Sequence, residues 1–395
     1  MKFWIFILVG VISISVYGQA FDSGKVIDSV PISLGDDESF ALYLPNSFNP
    51  EKLNSIVIVF DPGGRGPNGI KNFIPIAERF GHILVCSNNS KNGPYQQNFD
   101  IANRLFSKVF DEFNIDPKQI YLAGFSGGSR LATAIAVLTK QMSGVVACGA
   151  GFPENLAFAP TAPDFLYVGL VGDRDMNLLE MQNNFHFLQK LGFKNELILF
   201  EGGHIWPPPE VLQNAFEWIA LNAHNQSVNK LRPDLLKEIY NTNYKELQNT
   251  PDVLRKSREL ETLIKSFDGI YDVDSLGTQL NELKNSSKYE SASKSQKEVF
   301  EMEERLILRL TDRFHSDYGN PKNLNKKWWS KELTKLKKLE EKNLLYDKMV
   351  SRLTYKLGEL AYTRSKSEYF PVTPLQKNFC LFLLGEIRNL RNISG

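Results

Sequence analysis

The sequence predicts an α/β architecture, a mainly parallel sheet covered on both faces by helices, followed by an all-α region. Three observations predict it. Short β-rich runs alternate with helical patterns from about Phe21 to His224, the rhythm of strand–helix–strand units. Those runs are almost continuously apolar, as strands buried on both faces must be. Beyond about Ser227 the chain turns to long, charged, glycine-poor helical patterns. At about 150 residues per domain, 395 residues suit two domains.

The elements follow in order. Lys2, the apolar run Phe3 to Val16 and the small residues Gly18 and Ala20 make residues 1–20 an expected export signal, the run being too short to span a bilayer comfortably. The mature chain is therefore expected to be periplasmic or extracellular, with no integral membrane span once the signal is removed. No cysteine follows the run, so no lipid anchor is expected. Ser39 to Leu44 alternates as an edge strand would, and Ser55 to Phe60, Ile83 to Cys86, Ile120 to Ala123, Gly144 to Cys148, Phe165 to Val171 and Glu196 to Phe200 read as core strands. Ile101, Leu105, Val109 and Phe113 recur every four residues, the buried stripe of a helix. Residues 127–138, 176–191 and 210–223 read as helices too. The stretch between Gly149 and Asp164 is too short for a helical lid, which predicts an open crevice above the sheet. Residues 21–226 are assigned to the α/β domain and 227–395 to the helical one.

Charge narrows the partners. Lys+Arg 46 against Asp+Glu 45 gives a net charge of +1, no field to gather nucleic acid. Cys86, Cys148 and Cys380 are too scattered for a disulfide framework or a cysteine-rich zinc site, and each is expected to be a small buried hydrophobe. No metal is expected.

The sharpest motif is Gly124-Phe125-Ser126-Gly127-Gly128, directly after a strand and leading into a helix. A serine on so tight a turn needs neighbours without side chains, and the turn thrusts its Oγ into the crevice. The Gly127 N–H points into the same space from a helix N-terminus, where a developing oxyanion is favoured. Such a serine needs a base. Of the five histidines, only His204 sits in a glycine-rich loop after a strand, in Glu201-Gly-Gly-His204-Ile-Trp206-Pro207. The acid is expected after the strand ending at Val171, where Gly172-Asp173-Arg174-Asp175 offers two carboxylates. Asp175 is preferred, because Asp173 comes straight off the strand end and can pair with Arg174. Turn chemistry alone does not separate them.

With these motifs in place, residues of about 30 to 224 resemble α/β-hydrolase-fold esterases of the polyhydroxybutyrate-depolymerase, feruloyl-esterase and dienelactone-hydrolase-like groups. The stretches that carry the resemblance are Asp116-Pro-Lys-Gln-Ile-Tyr-Leu-Ala-Gly-Phe-Ser126-Gly-Gly, the Gly172 to Asp175 turn and Gly-Gly-His204-Ile-Trp-Pro. The order Ser126, Asp175, His204 is that of the α/β-hydrolase triad. The resemblance implies hydrolysis of carboxylic esters through an acyl-enzyme intermediate, with no cofactor. Where such esterases often carry His-Gly-Gly after the early strand, this chain has Asp61-Pro62-Gly63-Gly64-Arg65-Gly66. The second oxyanion donor, beside Gly127, is thus expected to be the amide of Gly64 or Arg65, while Asp61 and Arg65 also read as an ion pair.

Phe125, Phe152, Trp206 and Tyr95 fall in or near the crevice loops, where aromatics either form a substrate platform or pack as core. A small-molecule or polymeric ester is the expected substrate. In the helical region, stripes such as Leu231, Leu235, Leu236 and Ile239 resemble tetratricopeptide-like arrays without a convincing period. Lys326-Lys327-Trp328-Trp329 reads either as a contact for glycan or an anionic surface or as a helix-start anchor, and a protein or glycan contact through this region is a candidate role. Residues 285–297, rich in Ser and Lys, read as a loop, and Phe379 to Leu384 as part of a buried last helix. Two further functional readings stay open from sequence: a silent hydrolase-fold scaffold for a helical interaction module, and a serine peptidase on the same fold.

Overall fold

Val26–Pro31 (β1), Ser39–Tyr43 (β2), Asn54–Phe60 (β3), His82–Ser87 (β4), Ile115–Phe125 (β5), Gly144–Cys148 (β6), Leu166–Gly172 (β7) and Asn195–Phe200 (β8) form one sheet in the order β1-β2-β4-β3-β5-β6-β7-β8. In this computed structural model the described residues are 21–33, 35, 37–153, 155–225, 230–366 and 371–391. The expected export signal, residues 1–20, and the expected domain boundary at 226–227 lie outside them. β2 pairs antiparallel with both β1 and β4, and every pair from β4–β3 to β7–β8 is parallel. The edge is therefore β1 rather than Ser39–Tyr43. β1 buries only Val30, so its pattern is too weak to announce a strand, whereas Phe40 to Tyr43 are buried on both faces.

Helices cover the two faces. On one, Tyr95–Glu112 (α3), Gly127–Thr139 (α4) and Leu178–Lys190 (α5) bury Leu105, Val109, Leu131, Ile135, Leu178 and Met181 in one core. On the other, Gly66–Lys71 (α1), Ile74–Phe80 (α2) and Pro209–Asn225 (α6) bury Ile70, Ile76, Leu212, Phe216 and Ile219 in a second. The fourfold stripe of α3 is buried, as its period requires.

Among the described residues seven α-helices follow: Pro233–Asn249 (α7), Val253–Phe267 (α8), Asp274–Lys284 (α9), Ser287–Gly319 (α10), Lys326–Glu340 (α11), Leu344–Ser365 (α12) and Pro374–Arg391 (α13). Residues 287–297 are helical, not the expected loop. The Ser286 hydroxyl accepts from the Tyr289 N–H and caps the helix, and the Ala, Lys, Glu and Gln that follow are good helix formers on a solvated face. Serine richness misleads there because serine also favours turns. Trp329 is buried at the start of α11 and donates its indole N–H to Asp317 at 2.8 Å, while Arg313 lies over the Trp328 ring. The pair anchors the helix. Cys86, Cys148 and Cys380 are free and buried. Among the described residues, no helix is long and apolar enough to cross a membrane.

Candidate active site

β5 delivers the chain to Ser126 at the carboxyl end of the sheet, and α4 begins one residue later. Ser126 has φ 53° and ψ −120°, a region where a side chain costs about 1–3 kcal/mol. Its surroundings hold it there. The Ser126 N–H donates to Cys148 O at 2.8 Å, and Ser129 and Arg130 donate back to Ser126 O. A Cβ on Gly124 would strike the backbone of Gly128, and one on Gly128 would strike the Phe60 carbonyl, so the motif's glycines are demanded by the closeness of strand and helix. The Gly127 and Gly128 amides, first in α4, have no acceptor among the described residues.

Two loops complete the arrangement. His204, after β8, sets Nε2 at 2.9 Å from Ser126 Oγ. Its Nδ1 lies 2.9 Å and 3.0 Å from the two oxygens of Asp175, a buried carboxylate after β7. An ionised carboxylate only accepts, so Nδ1 is the donor and a neutral ring leaves Nε2 to accept the serine proton. Asp175 is held in turn: the Asn177 N–H donates to Oδ1 at 2.9 Å, and Asn177 Nδ2 donates to Gly149 O at 2.7 Å. Gly149, at φ 65°, forms the floor; a Cβ there would come within 2.8 Å of the Phe125 ring and 3.1 Å of Asp175 Oδ2. Asp173 faces elsewhere, its carboxylate 2.7 Å from Lys348 Nζ and 3.6 Å from Arg174.

A serine on a strand-to-helix elbow, a carboxylate two strands on and a histidine after the last strand thus meet at the carboxyl ends of a sheet whose second strand alone reverses its neighbours. The fold is that of the α/β-hydrolases. Among solved structures, the hydrolase-fold chain is similar to a ferulic acid esterase (16% identity, 49% of this chain and 95% of that one, TM-score 0.40). It is similar also to an esterase of Pyrobaculum calidifontis (15%, 53% and 87%, TM-score 0.41) and to Thermogutta terrifontis esterase 2 (15%, 53% and 96%, TM-score 0.42). No family model and no curated protein matches the sequence.

Several expectations are corrected by the hydrolase-fold geometry. The Gly64 and Arg65 amides are not free to bind an oxyanion: Gly64 N donates to Asp61 O at 3.1 Å and Arg65 N to Asp61 Oδ1 at 3.3 Å. Asp61 and Arg65 do pair, at 3.0 Å. Burial pushes the Asp61 carboxyl up, but hydrogen bonds from Arg65, Gly63 and the Trp206 indole outweigh that and hold it below its ordinary value. Phe152 is core, its ring packed on Tyr167 and Phe187 on the α5 face. Phe125 is buried with its ring 4.6 Å from His204, and Trp206 packs 5.3 Å away on that phenyl ring and on Phe73 rather than on the imidazole. Tyr95 lies with Asn92, Gly127 and Gly128 on a cavity of about 160 Å³.

The crevice is not open on its histidine side. Tyr355 of α12 sets its ring 5.8 Å from His204, and burial, then Asp175 and Glu359, push its phenol pKa up. The same helix grips the acid turn. Arg352 donates to Asp173 O, Lys348 binds the Asp173 carboxylate and Asp347 pairs with Arg174. Arg352 is itself fixed by Glu303 of α10 at 2.7 Å. No local signal marks these residues, since a tyrosine and two cations on an amphipathic helix look like ordinary surface. Among the described residues, no cluster of histidine, cysteine, aspartate or glutamate is suited to a metal.

Proposed function

We propose that the protein is a serine hydrolase that cleaves carboxylic esters through an acyl-enzyme, with Ser126 as nucleophile, His204 as general base and Asp175 as the group that orients the ring. The observation that carries this reading is the unbroken relay from Asp175 through His204 to a serine held at φ 53°. A serine hydroxyl attacks poorly near neutral pH until a base takes its proton. In the cycle, Oγ attacks the ester carbonyl while its proton passes to His204 Nε2; the imidazolium, stabilised by Asp175, then protonates the departing alkoxide. Water enters by the same route and releases the acid. The Gly127 amide, at the positive end of α4, serves the carbonyl oxygen as it becomes anionic. None of these steps calls for a cofactor.

The substrate assigned is a bulky or polymeric ester met outside the cell. The pattern of residues 1–20 supports export. The cavity beside Gly127, lined by Tyr95 with Ser90, Asn92 and Asn98, suits hydroxylated groups. In this reading residues 21–226 form the catalytic domain, and the helical domain from 227 onward walls the histidine side of the crevice and is available for contact with protein or glycan. A fluorophosphonate probe and a panel of soluble, polysaccharide-borne and polyester substrates test the proposal. Covalent capture and hydrolysis by the wild type, both absent from a folded Ser126→Ala variant, are expected; a folded wild type that does neither refutes it.

A further inference from the structure

We infer that the side-chain carboxamide of Asn92 supplies the second hydrogen bond to the oxyanion. The inference rests on ester hydrolysis at Ser126 as proposed above and deepens it.

Acyl transfer on a serine is served by two donors at the carbonyl oxygen, and Gly127 offers one. The loop after β3, from which the other was expected, has none to give. Pro62 lacks an N–H. Gly63 N donates to Asp61 Oδ1 at 2.8 Å, Gly64 N to Asp61 O at 3.1 Å, Arg65 N to Asp61 Oδ1 at 3.3 Å and Gly66 N to Asn88 Oδ1 at 3.1 Å. Freeing Gly63 or Arg65 would strip a donor from the buried Asp61 carboxylate, and freeing Gly64 or Gly66 would break the turn or its tie to Asn88.

Asn92 stands beside Gly127, one residue from the nucleophile. It follows β4, and its own N–H donates to Pro62 O at 2.8 Å while Gly63 and Lys91 form a β-bridge, so the two loops are fastened together. Its side chain lies against Gly127, close enough that a Cβ on that glycine would collide with Asn92 Oδ1. Both residues line the 160 Å³ cavity beside the nucleophile turn. The carboxamide has no hydrogen-bond partner among the described residues, so a half-turn about its last bond exchanges Oδ1 for Nδ2 without breaking a hydrogen bond.

The electron count is ordinary. As Ser126 Oγ bonds the carbonyl carbon, the C=O π pair moves onto oxygen and the Oγ proton moves to His204 Nε2. Gly127 N–H and Asn92 Nδ2 hold that oxygen. When the pair returns, the bond to the alcohol oxygen breaks and the proton leaves with it.

Steady-state hydrolysis of p-nitrophenyl butyrate by the full chain, Asn92→Ala and Asn92→Asp tests this. Asn92 is exposed, so both variants are expected to fold. Asn92→Ala should lose about 10²–10³-fold in kcat with KM little changed, and Asn92→Asp, which has no N–H to give and adds negative charge, at least as much. An Asn92→Ala kcat within roughly threefold of wild type, or a loss carried by KM alone, overturns the inference while leaving the esterase reading intact. A wild type that hydrolyses no ester overturns that reading, and the inference with it.

Discussion

The two halves of the candidate site are held by different means. The nucleophile half is local: Gly124, Ser126 and Gly128 lie within one turn, and its shape follows from backbone that cannot approach so closely with side chains between. The acid–base half is assembled at long range. Asp175 and His204 sit on loops after β7 and β8, and the turn bearing Asp175 is gripped by Asp347, Lys348 and Arg352 of α12, with Tyr355 against the histidine. The serine turn is shaped by its own neighbours, whereas the turn bearing Asp175 is in contact with a helix from the far end of the chain.

The sharpest way to break this comparison is at the acid. Asp175→Asn should lower kcat by about 10⁴-fold, because the amide favours the wrong tautomer of His204. Asp173→Asn, which disturbs the pair with Lys348 and not the ring, should lose far less. Equal losses from the two changes, in the same ester assay, would contradict the division of roles.

The next test concerns the grip of α12. Arg352→Ala leaves the buried Glu303 without its partner, and removing one member of such a pair costs about 3–5 kcal/mol in a denaturation experiment. Lys348→Met spares that buried pair, so it reads the acid turn directly. It should lower kcat by about tenfold with little change in the unfolding midpoint. An unchanged kcat would show that the acid turn holds itself.

How legible each half was follows from the same contrast. The elbow, the core strands and the four-residue stripe of α3 are written in neighbouring residues, and sequence alone reads them. His204 and Asp175 stand out in the sequence because each falls in a loop after a strand end, and the structure brings their side chains into contact. The Gly64 and Arg65 amides look free in a glycine-rich stretch of sequence, while in the structure both donate to Asp61. Tyr355 carried no signal, since its meaning comes only from α12 crossing the rim. Contact alone is also no signature. Ser55 Oγ lies 2.6 Å from His82 Nδ1 at the opposite end of the sheet, among the rings of Phe80, Tyr121 and Phe216 and buried from any substrate.

That inner pair sharpens the comparison by titration. Burial pushes the His82 pKa from 6.5 down to about 3. Because the unfolded chain binds the proton first, stability should fall as pH drops from about 6.5 toward 3, by roughly 1.4 kcal/mol per unit from this group. His82→Asn should flatten that slope while leaving ester hydrolysis in place; an unchanged slope would place the acid sensitivity elsewhere. The smallest effect is expected at Tyr355→Ala. It should change KM for bulky esters by about threefold to tenfold and leave acetyl esters nearly untouched, since one aromatic wall contributes modestly to binding.

The central claim is that three residues far apart in the chain act as one relay on an activated serine. Intact-mass measurement after fluorophosphonate treatment tests it most directly. One adduct is expected, on Ser126, formed by the wild type and lost in folded Ser126→Ala and His204→Ala proteins. An adduct that forms equally in the His204→Ala protein, or maps to another residue, would contradict it.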